Sequence, residues 1–317
     1  DFPAFRTDPV KLVVTGADPD QLVSVVLQSR QVEGLAAPMA PVHPTQDGTT
    51  VLSAPLADRA GGQAVVDQLR AIDTPDGDYR FMPGVSQYSC GIGALPGFTI
   101  ERVRFSGPVP LSAGFERIAD IIKAAGRPLT AFGACELRSP APFTEDGFKA
   151  FNEIYIETLI AWGVMRDGVN PVARSNVCPK LDPPGEPSFH AFCYTVPAAK
   201  DAQTSFVVAG SGESVEGKAN YRDHTVAPGD TSPAGISAKA KFVLGEMERR
   251  MSAFGGSWRD TTAVQLYTVH DVYPVLEIEL GRRGVLRNGL TWHFDCPPVV
   301  GLDFEMDCRR VHLERVV

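Results

Sequence analysis

From about residue 85 to the end of the chain, one succession of elements occurs twice. A chain that repeats a unit of this size folds as two related halves. The first pass opens with "FTIERVRFSGPVP" (98–110), which reads as a strand running into a Ser-Gly turn. "AGFERIADIIKAAGRPL" follows as an amphipathic helix with Phe115, Ile118, Ile121 and Ile122 inward, stopped at Gly126. "TAFGACELRS" is a strand, and "TEDGFKAFNEIYIETLIAWG" is a second helix expected to bury Phe148, Phe151, Ile154 and Trp162. The second pass begins with the strand "TSFVVAGSGE" and the helix "KAKFVLGEMERRMSAFGG". It continues through "TTAVQLYTVHD", a shorter helix in "VYPVLEIELGRRG", and the closing strand "GLDFEMDCRRVHLE". The expected order is β-β-α-β-α-β in each pass. The copies are unequal, because the second carries the polar insertion "SVEGKANYRDHTVAPGDTSPAG" where the first has only "PVPLSAG".

Ahead of the repeats lies a smaller α/β segment. "VKLVVTG" (10–16) reads as a buried strand, and "DPDQLVSVVLQSR" as a helix with Asp18 at its N-cap and Pro19 in its first turn. A second helix is expected over 58–72, with Val65, Leu69 and Ile72 on one face. The Pro-rich "APMAPVHPTQDG" reads as a loop between them. "CGIGALPG" (90–97) has the glycines of a dinucleotide loop at the wrong spacing, so a tight turn between strands is expected. The resulting division is 1–85, 86–188 and 189–317.

Composition narrows the partners. The 317 residues carry 30 basic and 38 acidic side chains, a formal charge of -8, which argues against nucleic acid or an anionic membrane. No stretch approaches the roughly 18 apolar residues of a membrane span, and the first residues lack an apolar leader segment. Six scattered cysteines, never in a CxxC pair, read as reduced and mostly buried thiols, so the cytoplasm is the expected compartment. The six histidines show no HxxxH or HxH spacing, the HxE and PCxxC pair of zinc deaminases is missing, and no GxSxG elbow occurs. No metal and no cofactor are therefore expected.

What remains is a set of weak motifs in a telling order. The first copy has Ser106-Gly107 followed by Pro110, a helix ending "AAG", then Phe148, Asn152 and Tyr155, and finally "PVARSNV" around Arg174. The second copy ends on "LDFEMD", with Glu305 in an alternating strand. Together these resemble the reactive-intermediate deaminase (Rid, or YjgF) family over roughly residues 85 to 317. The resemblance implies an α/β (α+β) protein: two fused Rid-like, chorismate-mutase-like units of sheet plus helices behind the N-terminal α/β segment. It also implies a trimer-based homo-oligomer.

In that family the arginine binds the carboxylate of an enamine or imine acid, the acidic residue orients water, and a keto acid and ammonia leave. The implied function is hydrolytic deamination of a small unsaturated amino acid, of the 2-aminomuconate or 2-aminoacrylate kind, in aromatic compound catabolism. The chemistry is sound on its own terms. A guanidinium is a planar fork for a carboxylate that keeps its charge, and an imine needs only positioning and one group that moves protons. Arg174 and Glu305 are the implied catalytic pair, with Ser106, Glu136, Arg138, His293 and Cys178 lining the substrate site.

The second copy has Leu290-Thr291-Trp292-His293 where an arginine would sit, and the first has no clear closing glutamate. Each copy thus keeps half a site, and Arg174 is expected to face residues of the second copy or of another chain. Chorismatases, which cleave the enol-pyruvyl ether of chorismate, are similar in layout and form a second reading. A non-catalytic ligand-binding protein is the third. Plainer roles stand beside each residue: a salt bridge for Arg174, an outward strand position for Glu305, a cross-strand ion pair for Glu136 and Arg138, packing for Cys178, and satisfied burial for His270 and His293.

Overall fold

The computed structural model describes the backbone strands 10–15, 40–44 and 49–54 and residues 71–317 except 75, 200 and 219. The chain divides into two compact units, Asp1–Arg70 and Ala71–Val317. In the first, β1 (Val10–Thr15), β2 (Ala40–Pro44) and β3 (Thr49–Ala54) form an antiparallel sheet in the order β1-β3-β2. The segment read as a Pro-rich loop therefore contains an edge strand. Prolines are admitted there because an edge leaves one row of N–H groups unused, and the register slips between Pro41 and His43. The helix expected after Asp18 and most of that expected over 58–72 lie outside the described residues.

In the second unit, β4 (Ile72–Asp73), β5 (Tyr79–Met82) and β6 (Gly91–Ala94) precede the repeats. "CGIGALPG" is β6 followed by a turn, in which Gly97 takes φ +88°. The first repeat is β7 (Phe98–Pro110), α1 (Leu111–Ala124), β8 (Phe132–Arg138), α2 (Glu145–Ala161), β9 (Ala173–Pro179) and β10 (Ser188–Pro197). The second is β11 (Phe206–Gly212), α3 (Pro233–Ser252), β12 (Ala263–Tyr267), and a helical turn Tyr273–Val275 that runs into a π-helix, Leu276–Gly281. It finishes with β13 (Thr291–His293), β14 (Asp295–Cys296), β15 (Glu305–Arg310) and β16 (Leu313–Val316).

The duplication is visible in the strand order. One sheet runs β14-β9-β8-β10-β7-β16 and the other β13-β12-β15-β11-β6-β5-β4. Within each, the strands of one repeat take the same order, third-second-fourth-first. The second and third are parallel, and the fourth is antiparallel to its two neighbours. The observed succession is β-α-β-α-β-β, so the paired strands close each repeat instead of opening it. Ser106-Gly107 is not a turn: β7 continues through it, with a register shift in β10 between Phe189 and Ala191 absorbing the irregularity.

Helices cover the outer faces, and the two sheets meet face to face. In α1, Phe115, Ile118 and Ile122 point into the core of the first sheet. Helix α2 starts at Thr144, whose side chain accepts from Gly147 N, and buries Phe148, Phe151, Tyr155 and Leu159 at spacings of three and four. Ile154, expected inside, is exposed, because six residues after Phe148 the helix has turned about 240°. Helix α3, capped by Ser232 with Pro233 in its first turn, packs Ile236, Ala240, Val243, Met247 and Met251 onto the second sheet. Between the sheets a small apolar cluster around Tyr79, Ile92, Ala134 and Ala173 gives way to a layer of buried charge.

Candidate functional site

β14 pairs with β9 only at Cys178 and Pro179, so the stretch Arg174–Asn176 lies beyond the reach of that partner. There a cavity opens between the halves. From the first repeat it takes Phe148, Arg174 and Asn176; from the second, Gly210, Ser214, Glu216, Tyr221, Leu302 and Glu305; and Tyr88 comes from the segment before both. Arg174 and Glu305, each the surviving half of its repeat, line one cavity.

Arg174 is buried, and its guanidinium carbon stands 4.8 Å from the Tyr155 ring centroid and 5.2 Å from that of Tyr88, with Phe148 and Phe151 at 5.6 and 5.7 Å. Ring faces attract a cation but satisfy none of its hydrogen bonds. Both Nη1 and Nη2 lack a hydrogen-bond partner among the described residues, as does Nδ2 of Asn176, two residues along the same strand face. The Asn176 amide is oriented by Ser139 Oγ, which donates to its Oδ1 at 2.9 Å. Buried donors left open in this way are costly unless an acceptor meets them, and a carboxylate matches such a fork.

Glu305 faces this set with a different electrostatic character. Burial, then the neighbouring charges of Asp307, Glu216 and Glu213, push its carboxyl well above the usual range, with Arg250 opposing. The carboxyl fits because residue 210 is glycine: a Cβ there would overlap Glu305 Oε1 and press on Ser175 Cα at 3.2 Å. Helix α3 supplies the bracing. Buried Lys239 donates to Glu213 Oε1 at 3.2 Å and to Asp303 Oδ2 at 2.5 Å, while Glu213 accepts the backbone N–H groups of Asp303 (2.6 Å) and Phe304 (3.0 Å). Glu305 is the next residue. Arg250 donates to the carbonyls of Ala209 (3.2 Å) and Gly210 (3.3 Å) and pairs with Glu216 at 2.9 Å. Glu216 also accepts from Tyr88 Oη at 3.0 Å.

The other residues singled out from sequence lie elsewhere. Ser106 is exposed on β7, its N–H donating to Val317 O. Glu136 accepts from Arg102 Nε at 2.6 Å and Nη2 at 2.9 Å. Burial alone would raise its carboxyl, but Arg102 holds it well below the usual range. Arg138 lies 3.6 Å from Asp295 and 5.4 Å from the Tyr267 ring centroid. His293 stacks on Tyr267 and bonds Gln265 Oε1 at 3.2 Å, and burial and then Arg138 lower its pKa. Cys178 is buried opposite Cys296, its thiol raised by burial. His270 pairs with Asp303 at 3.3 Å.

Sequence reasoning missed Asn176, Gly210, Glu216, Tyr88, Lys239 and Arg250. Two of these carried a legible signal: Lys239 and Arg250 sit on the apolar stripe Ile236-Ala240-Val243-Met247-Met251, where a cation needs a buried partner.

With this geometry in view, the relatives are informative. A 2-amino-5-chloromuconate deaminase of Comamonas testosteroni is 50% identical over 242 residues, 76% of this chain and 96% of that protein. Two cyanuric acid hydrolase structures, one from A. caulinodans, cover 67% of this chain and 67% and 66% of their own. They are 9% and 11% identical, each with a TM-score of 0.35, too low to establish a shared fold. The family model for 2-aminomuconate deaminase CnbZ matches residues 71–315, nearly the whole second unit, and this chain belongs to that CnbZ family.

Proposed function

We propose that the protein is a hydrolytic deaminase of a 2-aminomuconate-type acid, an enzyme of aromatic compound breakdown. The observation that carries the reading is the open Arg174 fork and the buried Glu305 carboxyl lining one cavity. The family and its half-identical relative support it over chorismate cleavage or simple ligand binding. Arg174 takes the carboxylate beside the amine, while Asn176 Nδ2 is the neutral donor for the rest of the substrate.

Glu305 begins as an acid and protonates the enamine carbon, giving an iminium. As a carboxylate it then takes a proton from the water that attacks C2. The resulting carbinolamine receives that proton on nitrogen; the C–N bond breaks, ammonia leaves, and the hydroxyl proton returns to Glu305. One water is consumed, one ammonia is released, and the acid is regenerated.

The repeated third-second-fourth-first strand order supports descent from two fused copies of one unit, which this reading takes as Rid-like. A homo-oligomer in the cytoplasm, trimer-based as in that family, belongs to the same reading, and sedimentation velocity checks the assembly. The test of function is ammonia release from 2-aminomuconate. Wild type is expected to release it stoichiometrically with loss of the enamine chromophore, and Glu305→Gln to be slower by about 10² or more. Full turnover in both Glu305→Gln and Arg174→Ala would sink the reading.

A further inference from the structure

β15 carries Glu305 and Asp307 on one face, because alternate residues of a strand share a side, while Phe304, Met306 and Cys308 face the helix-covered core. Both carboxyls are buried. Glu305 reaches the substrate cavity. Asp307 stands one layer deeper, in a smaller void between the sheets that Ser175, Glu136 and Arg309 also line. Ser175 links the two: its Oγ donates to Asp307 Oδ2 at 2.6 Å, and its Cα and Oγ border the Gly210 gap that Glu305 Oε1 fills. Asp307 also accepts from Gln265 Nε2 and Tyr267 Oη, both at 2.8 Å. All three of these donors are neutral.

The acids around Glu305 differ in how they are compensated. Glu216 is paired with Arg250, Glu213 with Lys239 and two backbone N–H groups, and, one layer further, Glu136 with both arms of Arg102. Arg309, on Asp307's own strand, pairs with Glu314 at 2.7 Å. Among the described residues, Asp307 makes no salt bridge. Burial and the Glu136 charge push the Asp307 carboxyl up, but its three hydrogen-bond donors favour the carboxylate, and that charge falls on its neighbour two residues away.

We propose that Asp307 is a positioning residue for the Glu305 proton, its charge keeping Glu305 in the acid form that opens each turnover. This rests on the deaminase reading, in which Glu305 must start protonated. Facing Glu305 are Asp307 on its own strand, Glu213 and Glu216 beyond β11, Arg250 of α3, Arg174 of β9 and Tyr221. Facing Asp307 are Glu136 and Arg138 of β8, Gln265 and Tyr267 of β12, Ser175 of β9 and Arg309. After burial, Asp307 is the largest influence raising the Glu305 carboxyl.

Asp307→Asn removes the charge and keeps the shape, and the Ser175 and Tyr267 hydroxyls can turn to accept from its amide. With the negative neighbour gone, ionised Glu305 is less disfavoured. The alkaline limb of the kcat/KM profile is then expected to move down by about one pH unit or more, with KM on the acid side changed less than about twofold. The infrared carbonyl band of protonated Glu305, assigned by its loss in Glu305→Gln, should titrate with the same shift.

A uniform loss of activity with limb and band unmoved would mean a merely structural Asp307 and overturn the proposal. Should Asp307→Asn fail to fold, Ser175→Ala and Tyr267→Phe each remove a donor and push Asp307 toward its neutral form. They predict smaller shifts in the same direction, and unmoved limbs in both overturn the idea. The infrared titration needs no substrate, so it still decides this proposal if wild type releases no ammonia from 2-aminomuconate, the result that would sink the deaminase reading instead.

Discussion

At the scale of single residues the site is a pair of opposites: a cation left open and an acid whose carboxyl is pushed up by burial and negative neighbours. Arg174 has four aromatic rings around it and, among the described residues, no hydrogen bond on its two terminal nitrogens, which leaves both open to an acceptor. Arg174→Lys keeps a charge but loses the fork, and kcat/KM is expected to fall about a hundredfold, mainly through KM in steady-state assays.

Glu305→Gln tests the acid through stability. A carboxyl raised in the folded state keeps a proton that the unfolded chain, at about 4.3, gives up. Its folded state is therefore favoured most below that value and loses stability as pH climbs toward the raised one. Glutamine does not ionise, so Glu305→Gln should melt higher than wild type at pH 7, with the gap closing near pH 4 in thermal scans.

Arg174 and Glu305 were legible in the sequence because each sits in a motif with a fixed neighbour pattern. Asn176, two residues from Arg174, looked like any strand amide. Only the cavity gives its unpartnered Nδ2 a meaning.

At the scale of elements, helix α3 does more than cover a sheet. Its two buried cations brace the segments on either side of Glu305, Lys239 at Asp303 and Phe304 through Glu213, Arg250 at Gly210 and Glu216. Lys239→Met leaves Glu213 buried without its counter-ion and is expected to cost about 3–5 kcal/mol in denaturant unfolding.

The β11 strand contributes by what it lacks. Gly210→Ala forces a methyl group against Glu305 Oε1 and the Ser175 backbone, with an expected loss of about 1–3 kcal/mol and a much larger relative loss of turnover. The helices were foreseeable from their periodicity and caps. The continuity of β7 through Ser106-Gly107 was not, because Gly-containing dipeptides signal turns locally and a neighbouring strand can overrule them.

At the scale of the molecule, the family match begins at residue 71, where the second compact unit also begins. A chain starting at residue 71 is expected to unfold in one cooperative transition and to keep its ammonia-releasing activity within about twofold; circular dichroism melts and the same assay check this. The sequence by itself determined the duplication, its element types and the asymmetry that left one arginine and one glutamate in different copies. All of these are written in local periodicity and short motifs. Only the tertiary structure decided that the two residues meet, that glycine at 210 makes room for the acid, and that Asp307 stands behind it. The first two bring Glu305 against residues on strands far away in the chain, and strand order and register set all three. The free energy that fixes them comes from packing two sheets together, a quantity no short stretch of chain contains.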